Sequence, residues 1–237
     1  MRFVSQFTVT LARSQEKVSA RITKSWEPAL NPLRHEPVWD ALRGVAYAGY
    51  TQRTSLELLS EERMGSGGVG LWNLLALPYG GEVVIPTFVK AEPRVYSGPI
   101  HPADLIVTDH SVRYKVRGAG ILKIGVRAVA STGRLGYLYP SGEDWALVVR
   151  NFAVDPSGEY VDVPWEQSTS SGDLTYSTQA YSVNNELGAF CELEYHAPAI
   201  GFGTGQFRSD DTSQVWAFRG SRDVIHQVAS NLMFPNL

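Results

Sequence analysis

The chain has 237 residues, 43% hydrophobic and 19% charged, with a formal charge of −3. That balance excludes a disordered chain, and the absence of any Lys/Arg block excludes the electrostatic footprint of a nucleic-acid binder. A single cysteine, Cys191, excludes an internal disulfide and fits a reducing compartment.

The first residues, MRFVSQFTVTLARSQ, alternate polar with apolar and contain no hydrophobic core of a signal peptide. No run approaches the roughly 18 apolar residues of a membrane span. Together these predict a soluble cytoplasmic protein with neither membrane nor nucleic-acid partner. Phe3, Phe7, Val9 and Leu11 share one face of a half-buried strand, and Val18, Ala20 and Ile22 share one face of a second. The link around Ser14–Glu16 makes the two a hairpin. Pro28, Pro32 and Pro37 then mark a connector with one helical turn near Val38–Leu42.

Strand pattern returns from Val45. The stretch Gly65 to Gly70 matches G-x-G-x-x-G, but it follows a charged turn and Pro78 cuts short what comes after. A dinucleotide site needs a buried strand before those glycines and a long helix after them. We therefore read a glycine-rich turn. LWNLLALP and EVVIPTFV read as a strand pair joined at Tyr79-Gly80-Gly81. DLIVTDHSVRYKV, GILKIGVRAV, GRLGYLYP, DWALVVRNFAV, EYVDVPW, LTYSTQAYSV and SQVWAFRG continue the strand pattern, with turn residues between. Such spacing predicts an all-β fold, a large antiparallel sandwich or barrel in a single domain over residues 1–237. A C-terminal helix is predicted after Ser221, with Val224, Val228 and Leu232 on one stripe and Pro235 as its stop.

The most informative stretch is Leu187–Gly203, LGAFCELEYHAPAIGFG. In a strand, Ala189, Cys191, Leu193, Tyr195 and Ala197 share an apolar face, which makes Cys191 a buried thiol. Phe190, Glu192, Glu194 and His196 share the other. Same-face neighbours lie roughly 6.5–7 Å apart, so two carboxylates and an imidazole can reach one small ligand. A solvated polar face accounts for the same pattern, and both readings stand.

Elsewhere the sequence holds no H-E-x-x-H, C-x-x-C, P-loop, EF-hand loop or G-x-S-x-G elbow. His101, Asp104, Asp109 and His110 flank a short strand at opposite ends and read as ordinary loop residues, so no metal or other cofactor is implied. Trp72, Asn73 and Arg150 stand among apolar neighbours. Beside the carboxylates they would complete a sugar pocket, polar groups for hydroxyls and an aromatic plane for the ring's C–H face.

The segment GAFCELEYHAPA resembles the strand G-x-C-L-E-T-Q-x-x-P-D-A of mutarotases and aldose 1-epimerases. The Cys-to-Pro spacing agrees, while the family's glutamate aligns with Leu193, between Glu192 and Glu194. Together with GLWNLLALPYGGEVVIPT and KIGV, it resembles a bacterial branch of the galactose mutarotase-like superfamily over roughly residues 45–220. The resemblance implies a supersandwich with a sugar cleft. It also implies, for true epimerases, a His acid and a Glu base that open and reclose the pyranose ring. The N-H-x-x-F segment that carries the family's acid is absent here, as is its Asp-containing sugar clamp. Either another residue, with His196 the candidate, supplies the acid, or the epimerase chemistry is lost. The expectation is a carbohydrate-binding protein. In its catalytic version Glu192 or Glu194 is the base, and Trp72, Asn73 and Arg150 hold the sugar. The alternative is a non-catalytic sugar-binding or structural sandwich. Oligomeric state is not legible.

Overall fold

A computed structural model describes residues 1–11, 15–42, 44–59, 68–161, 175–186, 188–201 and 204–233. Its two large sheets are antiparallel throughout. The nine-stranded sheet runs in the order β1 (Arg2–Thr10), β2 (Lys17–Pro28), β3 (Ala46–Leu58), β16 (Arg208–Gly220), β12 (Asp144–Phe152), β11 (Arg134–Ser141), β6 (Glu82–Pro86), β9 (Ser111–Lys115), β8 (Leu105–Val107). The five-stranded sheet runs β5 (Trp72–Pro78), β14 (Gly188–His196), β13 (Tyr176–Asn185), β10 (Gly120–Arg127), β7 (Arg94–Ser97). A two-residue ribbon pairs β4 (Gly68–Val69) with β15 (Ile200–Gly201). The chain is thus an all-β antiparallel sandwich with one C-terminal helix.

Period-two alternation decides what each strand buries. Leu135 and Tyr137 of β11 and Phe152 of β12 meet Ile124 and Val126 of β10 and Cys191, Leu193 and Tyr195 of β14 between the sheets. The opposite face of the large sheet, carrying Val84, Leu147, Val149, Trp216 and Phe218, is covered by α2 (Arg222–Met233). Val228 and Leu232 of the expected stripe are buried together with Ile225, Ala229 and Met233, and Val224 packs at the margin. The connector after β2 packs Ala29, Leu33 and Leu42 into the same cluster, around the short α1 (Pro37–Ala41). Among the described residues no helix is long and apolar enough to cross a membrane.

Three sequence expectations change. LWNLLALP and EVVIPTFV are not partners: β5 edges the small sheet and β6 lies inside the large one. The intervening turn crosses between layers. Gly80 adopts φ +98°, and a Cβ on Gly81 would clash with the Leu138 carbonyl oxygen. The Tyr137 hydroxyl fastens the crossing, accepting from Gly81 N–H and donating to the Pro78 carbonyl, each at 2.8 Å. A hairpin and a crossing show the same local turn residues, so sequence favoured the wrong one. DLIVTDHSVRYKV is a hairpin, β8 with β9, rather than one strand. Residues 159–161 of EYVDVPW form no strand, and the rest of that segment lies outside the described residues, as do residues 65–67 of the glycine-rich stretch.

Candidate functional site

Strand β14 divides its side chains as its alternation requires. Cys191, Leu193 and Tyr195 are 0% exposed in the inter-sheet core. Burial pushes the Cys191 thiol well above its ordinary range, which leaves it unreactive. Phe190, Glu192, Glu194 and His196 face outward, away from the large sheet. Their cross-strand partners on β5 are Pro78, Ala76, Leu74 and Trp72. On β13, Glu194 lies opposite Gln179 and Glu192 opposite Tyr181. Those two in turn face Gly125 and Lys123 of β10.

Glu194 sits at the centre of this face and is 1% exposed. Its Oε2 accepts from the Trp72 indole Nε1 at 2.9 Å and from the Lys123 ammonium at 3.0 Å. The ammonium lies 5.6 Å from the Trp72 ring centroid and 6.0 Å from that of Tyr96, so it is held between two aromatic rings. His196, buried beneath, stacks parallel to the indole with centroids 6.3 Å apart. Trp72 itself remains 52% exposed. The outcome is a half-exposed indole whose position is fixed by a buried carboxylate at its Nε1.

Glu192 is placed differently. It is only half-buried, and burial, followed by the charge of Glu194, raises its carboxyl above the ordinary carboxylate range against an opposing pull from Lys123. Of the two glutamates, Glu194 is tied to Trp72 and Lys123, and Glu192 stands half-buried beside them. Gln179, between Glu194 and Gly125, is 0% exposed, and neither its amide oxygen nor its nitrogen has a hydrogen-bond partner. An apolar residue there would avoid a cost of about 1–3 kcal/mol per orphaned group. Gly125 is required because a Cβ would meet the Tyr96 ring at 2.7 Å. Its lack of a side chain lets Tyr96 lie against the sheet.

Asn73 and Arg150 belong to a second cluster, on the other side of the small sheet. They do not join Glu192, Glu194 and His196. Asn73 follows Trp72 in a strand and must point inward. Its Oδ1 accepts from Gln52 Nε2 at 3.0 Å, and Gln52 Oε1 accepts from Trp26 Nε1 at 3.1 Å. Arg150, on the inner face of β12, is 2% exposed with its guanidinium 4.6 Å above the Tyr195 ring. Tyr195 donates to Asp211 at 2.5 Å, and burial raises the Asp211 carboxyl despite that bond and the charge of Arg150. Arg150 Nε and Nη1 lack hydrogen-bond partners, so the ring face and the Asp211 charge hold it. This cluster is sealed.

Sequence reasoning missed Lys123, Gln179 and Tyr96. Lys123 was the most accessible to it: Ile121, Lys123, Gly125 and Arg127 alternate with the buried Leu122, Ile124 and Val126. The loop quartet is dispersed, and Asp104 is ion-paired with Arg117, whose guanidinium holds the carboxyl below its ordinary range. Among the described residues no group of His, Cys, Asp and Glu has the geometry of a metal centre.

Fold and site thus define an antiparallel β-sandwich with a polar, aromatic-capped face on its smaller sheet. The chain belongs to a family of unknown function (DUF6786), whose model matches residues 34–236. No curated protein and no solved structure matches it.

Proposed function

We propose that the protein binds a carbohydrate on the outer face of the five-stranded sheet, with Trp72 as the stacking platform. One observation carries this reading: an indole 52% exposed to solvent is locked by its Nε1 onto a carboxylate that is 1% exposed. A free surface Trp loses rotamer freedom when a ligand stacks on it, whereas this one has already lost it on folding. A pyranose presents an apolar C–H face to such a plane and its hydroxyls to flanking polar groups, here Glu192 and the Lys123–Glu194 pair. The sandwich architecture and the resemblance of the β5 and β14 segments to the mutarotase-like superfamily support the same class of ligand.

A catalytic reading is favoured by Glu192. Epimerisation at the anomeric carbon needs a base to take the O1 proton and an acid to protonate the ring oxygen as the C1–O5 bond opens. Rotation about C1–C2 and the reverse transfers then reclose the ring. A half-buried carboxyl raised above its ordinary range by burial and by Glu194 is suited to the base role, whereas Glu194 is engaged by Lys123 and Trp72. His196 lies under the indole, so it serves this reading only as support for Trp72.

The test is isothermal titration of the protein with neutral mono- and disaccharides, alongside polarimetry of freshly dissolved α-aldoses. Binding of at least one sugar is expected. Binding together with accelerated mutarotation extends the reading to epimerase. Failure of every sugar to bind overturns it and leaves a structural module.

A further inference from the structure

The free edge of the large sheet holds a feature that the sugar reading does not use. Strand β1 pairs with β2 in unbroken register from Arg2↔Ser25 to Thr10↔Lys17, and among the described residues nothing pairs with its other side. The other edges are short or terminated. β8 has three residues, β7 has four, and β5 ends in Pro78. β1 runs for nine, with no proline, no bulge, no lysine and no acidic residue. Natural sheets protect long edges with one of those devices, because an open row of N–H and C=O groups recruits another strand. The strand also exposes Phe3 at 53%, Val4 at 51% and Val9 at 40%. It lies before residue 34, where the match to the family model begins.

Which backbone groups are open follows from the ladder. Met1 and Trp26 exchange both backbone bonds, Met1 N to Trp26 O at 3.1 Å and Trp26 N to Met1 O at 3.0 Å. Leu11 N donates to Glu16 O at 2.9 Å, again from an odd-numbered residue. In an antiparallel ladder such residues alternate, so Arg2, Val4, Gln6, Thr8 and Thr10 direct N–H and C=O outward.

We infer that β1 is a homodimer interface in which two copies of the chain pair antiparallel about a two-fold axis through Gln6, joining their large sheets. The strand is self-complementary in that register. Arg2 meets Thr10, Val4 meets Thr8 and Gln6 meets its own copy, all in hydrogen-bonded pairs. Phe3 meets Val9 and Ser5 meets Phe7 in the closer non-hydrogen-bonded pairs, where side chains pack most tightly. The exposed aromatic thus covers the exposed valine of its mate, twice by symmetry. Arg2, the strand's one charged residue, lies opposite a threonine, so no like charges oppose each other. The two-fold axis consumes both edges, so assembly closes at two copies.

Sedimentation equilibrium and light scattering of the whole chain test this. The expected mass is twice the 26.1 kDa of one chain. Gln6→Pro removes one outward N–H without breaking the β1–β2 ladder, a position where edge strands accept proline. Val4→Lys places a charge on the same edge with no backbone change. Each variant is expected to halve the mass while keeping the β-rich circular dichroism of the parent. A parent that stays monomeric at about 100 times a micromolar Kd, variants that remain dimeric, or growth beyond two copies would each overturn the proposal.

Discussion

Two charged clusters lie on opposite sides of the five-stranded sheet, and nearly the same ingredients do different work in them. The inner one places the Arg150 guanidinium over the Tyr195 ring with Asp211 at the ring's hydroxyl, and Arg150 and Tyr195 are 2% and 0% exposed. The outer one places the Lys123 ammonium against Trp72 and Glu194, with the carboxylate at 1% and the indole at 52% exposed. A cation, a carboxylate and an aromatic ring fix each other's positions in both. Where the ring is inside, the fixed geometry rivets two sheets together. Where the ring is half-exposed, the same fixing leaves a rigid aromatic group at the surface, the one proposed above as the sugar platform. Substitution should separate the two roles.

The largest effect is expected from Arg150→Met. It keeps most of the stem but removes the charge that partly offsets burial of Asp211, and breaking a buried charge pair from one side typically costs about 3–5 kcal/mol. For a chain of this size that is a fall in Tm of roughly 6–20 °C, measured by calorimetry. Sugar affinity of the folded fraction should not change. A loss of affinity without a fall in Tm would exchange the roles of the two clusters.

Glu194→Gln comes next. Lys123 loses its counter-charge at a buried site while Trp72 keeps an acceptor, so destabilisation of about 1–3 kcal/mol is expected from urea unfolding. Sugar binding should weaken as well, because the platform loses half of its support. Unchanged stability would show that the ion pair contributes nothing, as exposed pairs often do.

How far these clusters were legible in the sequence differs by residue. Alternation in GAFCELEYH assigns both faces of β14, and the structure buries Cys191, Leu193 and Tyr195 between the sheets as it requires, while Ala189 at the strand's start is exposed. The same rule forbids Trp72 and Asn73 from sharing a face, so grouping them in one pocket overlooked a local signal. Arg150 is another matter. Alternation places it opposite Val149, but which of its strand's faces looks onto the small sheet depends on the order of strands distant in sequence. Lys123 is a charge in an apolar run, a signal the reading passed over, and its partner Glu194 lies two strands away across β13. Local periodicity gives faces; long-range pairing gives neighbours.

A smaller effect, in a known direction, is expected from Glu192→Gln. The folded-state carboxyl titrates above its unfolded value. Its contribution to stability is therefore fully present below the unfolded pKa and is lost as pH rises through the folded one. Parent and variant should be equally stable in acid, and the variant should become the more stable of the two as pH approaches neutrality. Urea midpoints across that range give the answer. A variant that loses stability toward neutral pH would mean that Glu192 is ion-paired rather than held in a carboxylate-unfavourable setting.

The central claim, that Trp72 is a ligand platform rather than a structural residue, is tested most directly by Trp72→Ala read in two ways on one sample. Calorimetric unfolding should shift by no more than a few degrees, since half of the ring is already in water. Titration with the best sugar of the panel should show affinity reduced roughly tenfold or more, as expected for an aromatic anchor at the centre of a site. Undiminished sugar affinity in a folded Trp72→Ala protein would contradict the account.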